Sequence, residues 1–176
     1  MTRRTALKWL HWLAGAFILY FVLVEPDENT ADPGGALSTH AGVGMLLGVV
    51  TFIWFVSYMK NGPVGRAGPK LPAWAKQVHF WMHRVLYIAL PIMVLSGALT
   101  GMMAPYAIDA FGVVPLSLGI DIRWLHSLLE ELHELAFDGL LIIIVVHILF
   151  HLWRQFVLRD NALRIILPIK LHKYLK

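Results

Sequence analysis

The chain of 176 residues contains no cysteine. That absence removes disulfides, thiolate metal sites and any thioether attachment of a cofactor through Cys-x-x-Cys-His. Charge is also scarce, at 15% of residues against 58% hydrophobic, and the mean hydropathy is +0.65. A soluble domain has about 25% charged residues, so composition excludes an ordinary water-soluble globule. No segment alternates apolar and polar residues as a half-buried strand does, and no internal repeat is evident. The net charge of +4 does not imply nucleic acid, because its distribution along the chain has another explanation.

What is abundant is apolar sequence in four long runs. Each approaches the roughly 20 residues that span a hydrocarbon core. They predict helices at about 6–24, 38–59, 73–103 and 125–158. The first run follows Arg3, Arg4 and Lys8 and resembles a signal peptide. His11 and Trp12 interrupt its apolar region, however, and Glu25-Pro-Asp-Glu stands where a small-residue cleavage site belongs, so a retained helix is expected. Ser38 or Thr39 is available to cap the second helix. Pro91 is expected to kink the third. The connectors are Asp27–Gly35, a Gly/Pro/Lys stretch at Lys60–Pro72, and Ala104–Trp124, the last with room for a short surface helix. Residues 160–176 read as an amphipathic tail on the membrane surface. The expected fold is all-α: one integral membrane four-helix bundle spanning residues 1–176.

Charge orients that bundle. Of the 15 Lys and Arg, only Arg123 lies outside the N-terminus, the 60–84 region and the C-terminal part. The opposite loops and the start of the fourth helix hold Glu25, Asp27, Glu28, Asp32, Asp109, Asp121, Glu130, Glu131 and Glu134. By the positive-inside rule both termini of this multi-pass protein are cytoplasmic.

The fourth run carries the chemistry: His133-Glu-Leu-Ala-Phe-Asp-Gly-Leu-Leu-Ile-Ile-Ile-Val-Val-His147, followed by His151 and Arg154. Fourteen residues of helix place the two histidines on nearly one face, about 21 Å apart along the axis. An ionisable side chain at such depth normally has a partner, and two imidazoles near opposite membrane faces suggest one metal centre per leaflet. Without cysteine, any haem is b-type. Depth pairs His11 with His147 on the inner side, each seven residues from an arginine (Arg4, Arg154), and His40 with His133 on the outer side. His83, seven residues past Lys76, is an alternative partner for His147 that spacing leaves open. Gly15 lies at His11+4, and Gly44 and Gly48 at His40+4 and +8, each on its histidine's face. Bare backbone there admits a flat porphyrin, although small residues also serve close helix packing. His79, His151 and Arg154 are candidates for contacts with quinone, a propionate or a proton, against plain interfacial packing. His126 reads as a loop-end residue and His172 as a surface one. Asp138 either bonds its neighbours or carries a proton.

At these residues the chain resembles the bacterial cytochrome b561 family, di-haem four-helix proteins related to the b-type subunits of membrane hydrogenases. The matching features are Leu10-His11-Trp12-Leu13, His40, His79 through Ala89-Leu-Pro91 with Gly97, His133-Glu134, His147, and Arg159-Asp-Asn-Ala-Leu-Arg164-Ile-Ile-Leu-Pro168. The resemblance covers nearly the whole chain. It implies two haems b, with His11 and His147 as axial ligands of the inner haem iron and His40 and His133 of the outer, which resolves the alternative of His83. It also implies electron transfer across the inner membrane between the quinone pool, ubiquinone for example, and a periplasmic donor or acceptor. One branch is similar to superoxide oxidases, which pass electrons from superoxide to ubiquinone. Some relatives carry a histidine pair one to two turns after the last ligand, where this chain has His151 and Arg154.

Three readings follow. The first is an electron-transfer cytochrome whose acidic outer loops suit a basic periplasmic redox protein. The second is a superoxide:ubiquinone oxidoreductase, for which an acidic surface is a poor collector of an anion. The third is a haem-free membrane anchor.

Overall fold

A computed structural model describes residues 2–24, 26, 35–62, 68 and 70–167. The first connector (27–34), most of the second with Arg66, and the tail from Pro168 onward, including Lys170, His172, Lys173 and Lys176, lie outside the described residues. So does Glu25.

Four helices form where the apolar runs predict them: α1 Arg3–Leu23, α2 Ala36–Asn61, α3 Ala73–Met102 and α4 Arg123–Phe156. All four are long and apolar enough to cross a membrane, and their outward side chains are hydrophobic, as at Ile88 and Leu95, both 61% exposed. In water such a surface would drive aggregation; in lipid it is the solvated face. The chain therefore forms a four-helix membrane bundle.

Helix ends differ from the expectation by at most three residues, and α3 begins at Ala73 as expected. α1 starts early because Thr2 caps it, its hydroxyl accepting from Thr5 N–H. α2 begins after Gly35 without a side-chain cap; neither Ser38 nor Thr39 takes that role. Ser38 instead donates to Asp109 O and accepts from Gly112 N–H at 2.8 Å, while Thr39 bonds back to Gly35 O at 3.1 Å. Pro91 sits within the continuous helix α3.

The connector after α3 contains no helix. It folds into a two-residue antiparallel hairpin, β1 Asp109–Ala110 with β2 Val114–Pro115. Sequence reasoning missed it because a pair this short has no measurable period. Phe111, at φ 53 in the turn, packs on Gly42 of α2, where a Cβ would lie 2.5 Å from its ring. Ser38 and Gly42 thus hold the connector between α3 and α4 against the bundle.

Helix contacts run in chain order: α1 on α2, α2 on α3, and most extensively α3 on α4. α4 makes no comparably close backbone approach to α1 or α2. Those helices meet α4 through side chains around Ala14, Phe21, Leu47, Val50, Leu90, Met93 and Leu140. A second apolar cluster of Leu71, Ala75, Met82 and Phe150 joins the start of α3 to the end of α4. Arg3 donates to Ser57 O and Gly62 O, placing its cation at the last carbonyls of α2, where the helix dipole favours it. Past α4, a 3-10 turn at Ala162–Ile165 begins what sequence reads as the tail.

Candidate functional site

The two histidine pairs expected from depth are brought together. α1 and α4 run antiparallel, so His11 early in α1 meets His147 late in α4, ring centres 6.2 Å apart. α2 and α4 run parallel, so His40 and His133, both early in their helices, meet with centres 6.3 Å apart. A metal–imidazole bond is about 2 Å, and the ring centre lies about 1 Å beyond the nitrogen, so rings on opposite sides of one ion have centres roughly 6 Å apart. Both pairs have that separation.

The surroundings of the pairs agree. A Cβ added at Gly15 or Gly44 would meet nothing within 4 Å, so open space stands beside His11 and His40. Gly48 differs: its Cβ would touch Val94 Cγ1 at 3.4 Å, an ordinary packing contact between α2 and α3. His40 Nδ1 and His147 Nδ1 are buried without a hydrogen-bond partner among the described residues. Buried polar atoms are rarely left so unless something else completes them.

His133 is positioned by α3, which sequence reading did not anticipate. Ser96 Oγ donates to Met93 O at 2.9 Å, and both oxygens approach His133 Nδ1, at 3.1 and 3.2 Å. With the hydroxyl proton committed and the carbonyl able only to accept, Nδ1 carries the ring proton and Nε2 the free lone pair. A bond of this kind orients a ligating imidazole and raises its basicity. Gly97 makes room for the ring: a Cβ there would lie 2.6 Å from His133 Cε1. The sequence signal was Ser96-Gly97 directly behind a histidine helix.

On the inner side, more histidines gather than one pair requires. His83 has its ring centre 5.1 Å from that of His147, and His151 lies 4.6 Å from it. The 5.1 Å separation is about 1 Å shorter than that of His11 and His147. His79, His83 and His151 form a cluster of their own, with ligand atoms within 4.8 Å of one another.

Arg154 is 1% exposed and donates through Nε and Nη2 to Asp160 Oδ2, at 2.8 and 2.7 Å. Asp160 returns to it because Arg159 and Asn161 adopt left-handed backbone, φ 49 and 58, turning the chain at the end of α4. Gly68 completes the enclosure, since a Cβ there would lie 2.7 Å from Asp160 Oδ2 and 2.8 Å from Arg154 Nη2. Asp160, in the Arg159–Pro168 signature, was missed as a partner because only the folded turn aligns it.

Other residues settle simply. His126 is buried in the first turn of α4 beside Tyr106, ring centres 5.8 Å apart. Asp138 is exposed. Arg123, at the start of α4, pairs with Asp121 at 3.4 Å, both largely exposed. An apolar groove of about 520 Å³ runs along Trp9, Trp12, Leu13 and Ile53; it presents no ligating group and is a surface for lipid.

Lipid-facing helices that bring half-buried imidazoles together in pairs define an integral membrane protein with histidines clustered inside its bundle. Residues 3–168 match the family model for prokaryotic cytochrome b561, and the chain belongs to that family. No curated protein matches it. Membership implies a bacterial membrane b-type cytochrome that binds haem b and transfers electrons. The residues present fit such a group: paired imidazoles at the right separation, no side chain within 4 Å of a Cβ at Gly15 or Gly44, and ring nitrogens of His40 and His147 without a hydrogen-bond partner among the described residues.

Proposed function

We propose that the protein is a di-haem cytochrome that carries electrons across the inner membrane between the quinone pool and a periplasmic partner. His11 and His147 would ligate the inner haem iron and His40 and His133 the outer, with both termini cytoplasmic. The observation that carries this reading is the meeting of both pairs, with 6.2 and 6.3 Å between ring centres. Haem b, when bound, supplies one-electron redox chemistry, and bis-imidazole ligation suits transfer rather than oxygen binding.

The chain's own residues do the rest. Ser96 and Met93 fix the tautomer of His133, and Gly97 fixes its position. Gly15 and Gly44 leave the helix faces bare where a macrocycle would stand. Lipid-facing Leu, Ile and Phe exclude water from the histidines, and low polarity strengthens every electrostatic interaction there. His79 and His151 stand next to the inner pair at the cytoplasmic end, where a quinone carbonyl could accept a proton or hydrogen bond. Arg154 supports that end by holding Asp160 and is less available to a quinone than its charge suggests.

The outer surface supports a basic protein partner. Its described acids are Asp109, Asp121, Glu130, Glu131 and Glu134, and its one arginine is paired with Asp121. The same distribution weighs against superoxide as donor, since capture of an anion is helped by a positive field. A redox titration of the purified protein, with and without ubiquinol, tests the proposal. Two b-type transitions, with ubiquinol reducing at least one haem, are expected. Absence of any haem would leave only the membrane-anchor reading.

A further inference from the structure

We infer that His79, His83 and His151 form a binding site for a divalent cation of the zinc class, separate from the two haem pairs. His79 and His83 lie one turn apart on α3, a spacing that puts both rings on one helix face. His151 comes from α4 across the most closely packed helix pair of the bundle. Their ligand atoms all lie within 4.8 Å of one another, close enough to converge on a single ion.

Three distances separate this arrangement from a haem site. The ring centres are 4.3 Å apart for His79–His83, 5.6 Å for His83–His151 and 5.9 Å for His79–His151. All are shorter than the 6.2 and 6.3 Å of the opposed pairs. Three imidazoles gathered at one point exceed the two axial ligands that a haem iron takes from the protein. A small ion with tetrahedral preference takes three imidazoles and keeps a fourth position open.

The nitrogens are prepared for it. His83 Nδ1 donates to His79 O at 2.8 Å, which leaves the lone pair on Nε2 and orients the ring as metal-binding histidines are commonly oriented. Both ring nitrogens of His151 are buried without a hydrogen-bond partner among the described residues, although the residue is only 8% exposed. Simple packing would leave that imidazole doubly unsatisfied, a cost of roughly 1–3 kcal/mol per group; ligation completes one nitrogen. The neighbouring cation Arg154 is neutralised by Asp160 at 2.7 Å, so it does not repel an incoming ion at full strength. His79 is only half-buried and provides the entrance. Imidazole donors without thiolate or carboxylate suit zinc, copper and nickel rather than magnesium or calcium.

The site does not rest on the quinone reading, because occupancy is measured as bound metal and quinone exchange as haem reduction. The test uses haem-loaded protein in detergent, with any affinity tag removed, dialysed against Zn²⁺ at graded free concentrations. One Zn²⁺ per chain is expected, with affinity at least tenfold weaker in His79→Ala and in His151→Ala, since losing even an outer-shell partner costs about 10–100-fold. A Cys/Ser pair separates ligation from folding. His151→Cys supplies a thiolate and should retain the ion, whereas His151→Ser, of similar size, should lose it. No stoichiometric Zn²⁺, equal affinity in wild type and both alanine variants, or equal binding by the Cys and Ser variants would each overturn the inference.

Discussion

The imidazole of His133 occupies the space that any side chain at residue 97 would need: a Cβ on Gly97 would lie 2.6 Å from His133 Cε1 and 3.0 Å from Nδ1. A glycine on α3 therefore sets where an imidazole of α4 can point. Gly97→Ala should displace His133 while leaving His147 untouched. The expected outcome is loss of about one haem per chain, the outer one, with the inner haem retained, measured as haem content and as the disappearance of one redox transition. Two retained haems of unchanged potential would show that the ring does not act as a ligand.

The ligands themselves should divide in the same way. His11→Ala and His147→Ala are expected to lose mainly the inner haem, and His40→Ala and His133→Ala mainly the outer. His83→Ala should keep both, because its ring stands 5.1 Å from His147 rather than opposed to it across a longer gap. Haem-to-protein ratios of the five variants check this, and loss of the inner haem from His83→Ala alone would transfer the ligand role to His83.

Ser96→Ala should leave the haem count unchanged and move a potential. Removing its contact with His133 Nδ1 at 3.1 Å makes the imidazole a weaker donor, which disfavours the oxidised iron. The outer midpoint potential should rise, modestly, because Met93 O remains 3.2 Å from the same nitrogen. A redox titration reads the shift; a fall in potential would contradict the assigned tautomer.

Arg154 and Asp160 are each 1% exposed in their side chains, so cutting one strands the other as a buried charge. Arg154→Ala should cost about 3–5 kcal/mol of stability, read as a lower thermal midpoint in detergent. Arg154→Lys should rescue only part of this, since an ammonium cannot reproduce the two-pronged contact. Equal stability of wild type and Arg154→Ala would mean that the pair is open to water.

Much of this architecture was legible before any coordinates. Hydrophobic length located α1 to α4, because a bilayer imposes one solution on a run of some 20 apolar residues. Depth counted from Arg4 and Arg154 matched His11 with His147, because helical rise is constant, and a place near the start of parallel helices matched His40 with His133. Other features depend on contacts between distant segments and were not legible. Ser38 looked like a cap and instead ties α2 to the hairpin. Gly48 looked like porphyrin space and meets Val94. Arg154 looked available to a ligand and is held by Asp160, six residues on. Spacing identifies which face a residue occupies, but not which of several polar partners reaches it first.

The most direct test of the account is the haem content of the purified wild-type protein, set beside that of a His11→Ala/His40→Ala double variant. Two haems b per chain with a low-spin, bis-imidazole spectrum are predicted for the wild type, and none for the double variant. One haem per wild-type chain, or haem retained after both substitutions, would contradict it.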